Sequence, residues 1–125
     1  MTIASKFALP GILLVLTLAF GLWLSRSGRP YNAILFNVHK LVALAGVVVS
    51  VIQIYQALKG MQPQALLIAL IVLAILGVAA LFASGAFMSA GKLPYARMLL
   101  IHRISLVVTP LSLAGIVYLL AGRKL

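Results

Sequence analysis

The chain has 125 residues, of which 65% are hydrophobic and 8% are charged, and the charged residues are ten Lys and Arg with no Asp or Glu. Soluble domains carry about 25% charged residues, so this composition excludes a water-facing surface and indicates an integral membrane protein. The basic residues stand at the ends of apolar runs, which favours contact with anionic lipid headgroups and argues against a nucleic-acid partner. The absence of cysteine excludes disulfides and thiolate metal sites.

Four apolar runs follow one another along the chain, and each is long enough to cross a hydrocarbon core, which takes about 20 residues. A backbone in lipid must satisfy its own hydrogen bonds, so these runs are predicted to be α-helices. We place the spans at about residues 7–25, 33–58, 64–88 and 97–121. The first run is uncharged between Lys6 and Arg26 and is longer than the core of a signal peptide, so we interpret it as a retained span.

Three short links rich in Gly and Pro separate the spans, at residues 25–30, 59–63 and 89–94. Links this short make neighbouring helices antiparallel. The predicted fold class is therefore all-α, an up-down-up-down four-helix bundle in a single transmembrane domain that covers residues 1–125. Pro110 lies inside the fourth span, where it should kink the helix near Leu106, and the Thr109 hydroxyl is expected to ease the backbone carbonyl that the proline frees.

A two-helix tandem repeat is indicated by residues that recur 63 positions apart. His102 follows His39 at this distance. The same offset relates four other pairs of the rarer residue types: Gly28 and Gly91, Arg29 and Lys92, Lys40 and Arg103, and Tyr55 and Tyr118. Two copies of a two-helix unit share one orientation, so their symmetry axis would lie along the membrane normal. The two histidines are then expected at similar depth, facing each other across that axis.

The membrane orientation is predicted from the basic residues by the positive-inside rule. The side of the first and third links carries six Lys and Arg if Lys40 and Arg103 extend towards it, against four on the side of the termini and the second link. This excess places the first and third links in the cytoplasm and both termini outside, and dual insertion stays open. We expect a multi-pass protein of a bacterial or archaeal plasma membrane.

His39 and His102 are the only histidines in the chain, and both lie inside predicted spans. An ionisable residue within the membrane is a functional candidate by default, and two facing imidazoles can clamp a flat macrocycle. Small residues on the two histidine-bearing faces leave room for one: Ala43 and Gly46 on the second span, and Ser105 on the fourth. Hydroxyl groups on the fourth span can accept the second ring N–H of a ligating histidine.

Haem b is the cofactor that fits this pattern, because haem iron takes axial ligands from side chains such as His. We predict one haem per chain, with His39 and His102 as the metal ligands. The haem propionates are negative, and the chain has no carboxylate side chains of its own. Basic residues at the same face are therefore predicted to pair with the propionates: Arg29, Lys92 and Arg97.

The segments NVHKL at residues 37–41 and IHRI at residues 101–104 resemble helices of four-helix membrane b-type cytochromes, which include the cytochrome b subunits of respiratory complexes and quinone-linked oxidoreductases. The resemblance covers the four-helix core and the two histidine positions. It implies haem ligation by His39 and His102, and electron transfer to or from a quinone or a partner protein. Whether the chain is an oxidoreductase or only an electron carrier stays open. Many members hold two haems on four histidines, whereas this chain has two histidines and so at most one such haem.

Two other interpretations stay open. Small residues on helix faces are also typical of ordinary packing in membranes, and an intramembrane histidine can hydrogen-bond a neighbouring helix, so the chain is alternatively a haem-free structural subunit of a larger membrane complex. The other alternative is a small dimeric carrier or exporter. Small multidrug exporters share the four-span size but depend on a membrane Glu, which this chain lacks. An anion carrier would use the two histidines as titrating groups.

Overall fold

The computed structural model describes residues 2–28, 30–91 and 93–122, and these residues form helices and links without strands. The helices are α1 Ile3–Lys6, α2 Ala8–Ser27, α3 Ala33–Leu58, α4 Ala65–Ala90 and α5 Tyr95–Ala121. Helices α2 to α5 are each long and apolar enough to cross a membrane. The all-α fold with four spans is thus confirmed, and the chain is a multi-pass membrane protein. The observed bounds of the four spans lie within two residues of the predicted ones.

Local chemistry explains where the long helices begin and end. The side chain of Asn32 accepts a hydrogen bond from the backbone N–H of Leu35 at 3.0 Å, which satisfies one of the donors left over at the start of α3. Helices α2 and α4 end at Gly28 and Gly91, whose φ angles are 77° and 70°. Glycine adopts this left-handed region readily because it has no Cβ. The two glycines are repeat equivalents, but only Gly91, with a ψ angle of 15°, has the αL conformation and bonds its backbone N–H to Phe87, whereas ψ at Gly28 is -176°.

The contacts divide the chain into two compact units, Met1–Gly60 and Met61–Leu125. Each unit is one antiparallel helical hairpin, with α2 packed on α3 in the first and α4 packed on α5 in the second. We call these units the N-terminal hairpin and the C-terminal hairpin. The packing within each hairpin is consistent with the predicted helical bundle, and the single transmembrane domain stays a prediction.

Small and polar residues line the seam between the two helices of the C-terminal hairpin. A Cβ added at Gly115 would lie 3.0 Å from the side chain of Leu70, and one added at Gly77 would overlap the hydroxyl of Thr109. Small residues let membrane helices approach closely and gain van der Waals contact. The buried polar side chains of this hairpin are Ser84, Ser105 and Ser112.

The Thr109 hydroxyl does not hydrogen-bond the backbone carbonyl that Pro110 frees in α5. Helix α5 continues through Pro110, but Thr109 Oγ1 is buried and has no hydrogen-bond partner within residues 2–28, 30–91 and 93–122. The expectation that this hydroxyl eases the carbonyl freed by Pro110 is therefore wrong. Gly77 faces the hydroxyl across the seam, so the group lies between the two helices rather than against its own backbone.

The outer surfaces of both hairpins are apolar, as lipid contact requires. Ile34 is 77% exposed and Leu111 is 67% exposed, and many other large aliphatic side chains are exposed beside them. Exposed apolar side chains of this kind are suited to contact with lipid tails. Three aromatic residues near helix ends are more than half exposed, the position typical of rings at the membrane–water interface: Trp23, Tyr55 and Tyr118.

Candidate functional site

His39 lies on α3 and forms a hydrogen bond across the N-terminal hairpin to α2. Its Nδ1 lies 3.0 Å from the backbone carbonyl oxygen of Thr17. A carbonyl oxygen can only accept, so Nδ1 carries the proton and donates it. A neutral imidazole in this tautomer has its lone pair on Nε2, and Nε2 is then the atom of His39 that can bind a metal.

Gly21 on α2 provides the space for the His39 ring. A Cβ added at Gly21 would lie 2.9 Å from Cε1 of His39, and 3.4 Å from its Nδ1. The distance of 2.9 Å is shorter than van der Waals contact allows, so a larger residue at this position would displace the ring. The half-buried imidazole therefore rests against the α2 backbone, fixed by one hydrogen bond and one close approach.

His102 lies on α5 and is held in a similar way by Ser84 of α4. The Ser84 hydroxyl donates to the carbonyl oxygen of Ala80 at 2.6 Å, and Ser84 Oγ lies 2.9 Å from Nδ1 of His102. The shorter contact to Ala80 engages the single hydroxyl proton, which favours Nδ1–H of His102 as the donor to Ser84. His102 is then the same tautomer as His39, with its lone pair on Nε2.

The His102 ring also lies over a glycine of the neighbouring helix. A Cβ added at Gly85 would lie 3.5 Å from Cε1 of His102, which is ordinary van der Waals distance. Gly85 follows Gly21 by 64 residues, whereas the histidines are 63 residues apart. Gly28 and Gly91, which end the same two helices, are also 63 residues apart, so Gly21 and Gly85 are one residue off the repeat distance.

The predicted small residues near the histidines have packing roles of their own. A Cβ added at Gly46 would lie 3.5 Å from the Cβ of Leu13, so packing within the N-terminal hairpin accounts for the glycine. Ala43 is half-buried one turn after His39, and Ser105 is 7% exposed on α5. Contact of these three residues with a cofactor stays a prediction.

Of the basic residues predicted to bind propionates, the structure describes one. Arg97 lies in the first turn of α5 and is exposed. Arg29 and Lys92 lie outside the described residues. The pairing of all three with a cofactor stays a prediction.

Four residues that hold the histidines were not identified from the sequence: Thr17, Gly21, Ser84 and Gly85. Hydroxyl partners for the imidazoles were expected on the fourth span itself, whereas Ser84 lies on the neighbouring helix. Thr17 contributes its backbone carbonyl, a group that every residue type has, so the sequence does not indicate this contact. The recurrence of glycine 64 residues apart is the one signal that points to both ring positions.

The donor atoms determine which metal centres fit. The described residues contain no group of three or more His, Cys, Asp and Glu side chains that could hold a metal ion. A haem iron has the porphyrin nitrogens as ligands and needs only the axial positions filled by the protein. Each imidazole by itself, with Nδ1 near an oxygen of the neighbouring helix, has the chemistry of one such axial ligand.

The two hairpins thus hold their histidines by one arrangement, with Nδ1–H bonded to the first helix and the ring against a glycine of that helix. The histidine sites are built from residues of both helices in each hairpin. In comparisons with known proteins, no protein-family model, no curated protein and no solved structure matches this chain.

Proposed function

We propose that this chain is a membrane electron-transfer protein that binds one haem b through His39 and His102. The observation that carries the proposal is that Nδ1 of each histidine lies within hydrogen-bond distance of an oxygen on the neighbouring helix of its own hairpin, which makes Nε2 the candidate iron ligand. Histidines that bind metals almost always donate their other ring N–H to a carbonyl, carboxylate or similar acceptor, which fixes the ring and raises its basicity. The Thr17 carbonyl and the Ser84 hydroxyl would fill this role here.

The basic residues would hold the propionates of the haem. The chain has no Asp or Glu to repel them. Arg97 precedes His102 by five residues on α5, which places its Cα about 7.5 Å nearer the start of the helix, and its guanidinium can pair with a carboxylate through two parallel hydrogen bonds. Arg29 and Lys92, in the links, are the other two candidates.

Bound haem would supply a one-electron carrier whose two axial positions are filled, which disfavours direct binding of oxygen. One haem near one membrane face does not reach across the bilayer, so we propose a quinone or a redox partner protein as the other member of the electron path, with a homodimer as an alternative way to complete it. The chain then acts as an electron carrier of a bacterial or archaeal plasma membrane rather than as an enzyme with its own substrate site.

A haem-free structural subunit is the second candidate, and one observation favours it. Each histidine hydrogen-bonds to the neighbouring helix of its own hairpin, as polar residues do when they help membrane helices to associate. In that role the imidazoles contribute stability alone, on the order of 0.6 kcal/mol each. The two candidates share every contact within the hairpins and differ in whether Nε2 binds iron.

Absorption spectroscopy of the purified full chain, produced with an ample haem supply, separates the two candidates. The electron-transfer protein gives a Soret band and a sharp α band on reduction, and both His39→Ala and His102→Ala lose the low-spin spectrum. Ser112→Ala is the matched control, because the Ser112 hydroxyl is buried but donates only to Val108 of its own helix. A histidine variant that keeps a six-coordinate spectrum would refute the ligand assignment. A colourless wild-type protein would support the structural subunit.

A further inference from the structure

We propose that Lys40 and its repeat equivalent Arg103 each bind the phosphate of an anionic phospholipid, one site on each hairpin. Both residues lie inside membrane-spanning helices and both are exposed. The chain contains no Asp or Glu, so neither cation can pair with a side-chain carboxylate of this chain. A cation at the lipid-facing surface needs an anion from outside the chain.

The direction of the Lys40 side chain indicates where that anion lies. Its Nζ is 5.5 Å from the centroid of the Phe36 ring, one turn nearer the start of α3. Phe36 follows Ala33, the first residue of α3, by three positions, or about 4.5 Å along the axis. The ammonium group therefore extends out of the span towards the membrane surface, as long basic side chains do near helix ends.

An aromatic pair holds the ammonium of Lys40 at this level. The rings of Phe36 and Tyr31 are stacked, with centroids 6.4 Å apart and an angle of 7° between their planes. The ring face attracts the cation, and the stacked pair limits how far the Phe36 ring can move. An ordered ammonium at the membrane surface is a better phosphate ligand than a freely moving one, because less side-chain entropy is lost on binding.

Arg103 occupies the equivalent place in the C-terminal hairpin. It follows Tyr95, the first residue of α5, by eight positions, or about 12 Å, and it is exposed. Its guanidinium can bind two phosphate oxygens at once. The pair Lys40 and Arg103 thus places one phosphate ligand at the same end of each hairpin.

A lipid phosphate fits Lys40 better than the carboxylate of another membrane protein. A carboxylate on a partner helix would meet the cation within the span, whereas the Lys40 ammonium extends towards the surface, where lipid phosphates lie. The net charge of +10 adds attraction to an anionic leaflet. Each basic residue near such a leaflet strengthens binding by about fivefold.

The test measures lipid selectivity of the full chain in vesicles of phosphatidylcholine and phosphatidylglycerol, by native mass spectrometry of the lipids retained after extraction. Lys40→Gln should lower the preference for phosphatidylglycerol by more than the fivefold or so that any basic residue near the leaflet contributes, and Lys40→Gln with Arg103→Gln by more than about thirtyfold. Lys59→Gln is the matched control, because it removes the same charge and the Lys59 ammonium also lies 5.5 Å from an aromatic ring, that of Tyr55, but outside the spans. The control should lose no more than the general contribution of one surface charge, about fivefold.

Three results would overturn the proposal. Equal losses in Lys40→Gln and Lys59→Gln would mean that net charge alone attracts the lipid. An unchanged preference in the double variant would mean that the two residues bind no phosphate. Displacement of the lipid by inorganic phosphate would mean a general phosphate site. The charge-keeping pair Lys40→Arg and Arg103→Lys must retain the preference, which separates loss of the ligand from loss of the fold.

Discussion

Ser84 Oγ lies 2.9 Å from Nδ1 of His102, so a side chain of α4 is hydrogen-bonded to a histidine on α5. Ser84 is 2% exposed, and its hydroxyl already donates to the carbonyl oxygen of Ala80. Its oxygen is thus oriented by its own helix before it accepts from the imidazole. The relationship joins the two helices of the C-terminal hairpin and defines which ring nitrogen of His102 has the lone pair.

Ser84→Ala should release the tautomer of His102 and weaken the hairpin. The loss of one interhelical hydrogen bond is expected to cost about 1 kcal/mol, measured by unfolding in bicelles. The ¹⁵N resonances of His102 should change from an Nδ1–H pattern to a mixture of tautomers. Ser112→Ala should leave these resonances unchanged, because that hydroxyl bonds its own helix. An unaltered His102 pattern in Ser84→Ala would show that another contact sets the tautomer.

Gly21→Ala should be much more disruptive than Gly85→Ala. The added methyl would lie 2.9 Å from the His39 ring in the first case and 3.5 Å from the His102 ring in the second. We expect a loss of about 1–3 kcal/mol for Gly21→Ala, as overpacked sites show, and little change for Gly85→Ala. Gly11→Ala is the control, since no atom lies within 4 Å of its added methyl. Equal stabilities of all three variants, measured by unfolding in bicelles, would contradict the close approach at His39.

Gly77→Ala and Thr109→Ala should compensate each other. A methyl at Gly77 would overlap the Thr109 hydroxyl, so Gly77→Ala alone is expected to cost about 1–3 kcal/mol. Removing the hydroxyl relieves the overlap, and a double-mutant cycle should give a coupling of at least about 1 kcal/mol. Additive effects of the two substitutions would show that the helices shift apart at little cost.

Thr109→Val should leave the stability unchanged or raise it. The Thr109 hydroxyl is buried and has no hydrogen-bond partner among the described residues. Removal of such a hydroxyl is expected to raise the free energy of unfolding by up to about 1 kcal/mol. The same unfolding measurement in bicelles provides the value. A loss of about 1 kcal/mol or more would mean that the hydroxyl has a partner, such as an internal water.

Labelling of single cysteines tests the predicted orientation. The chain has no cysteine, so Ser27→Cys near the first link and Gln62→Cys in the second link each create the only thiol. The positive-inside rule predicts that an impermeant maleimide added outside cells labels Gln62→Cys and not Ser27→Cys. The reverse labelling pattern would show the opposite membrane orientation, and labelling of both positions would demonstrate dual insertion.

The helices were predictable because their signals are local. The span at residues 33–58 matches α3 at both ends, since Asn32 caps its start and Lys59, Gly60 and Pro63 follow its end. Hydrophobic length and Gly or Pro punctuation act within a few residues of each boundary.

The partners of the histidines were not predictable, because they depend on the register between two helices. Faces that contact lipid and faces that contact a helix are both apolar in a membrane protein, so residue type does not show which side of α2 or α4 meets the neighbouring helix. Thr17 acts through its backbone, and Ser84 looks like one of many small residues. Only the recurrence of glycine at Gly21 and Gly85, one residue off the repeat distance of 63, points towards these contacts.

The amount and spin state of haem bound to the purified wild-type chain test the central claim most directly. One low-spin haem per chain, read from the Soret absorbance against the protein concentration, is the expected result, because both Nε2 atoms have lone pairs and both rings are fixed by Nδ1–H bonds. A chain that stays colourless after haem supplementation, or that binds a high-spin haem with one open axial position, would contradict the account.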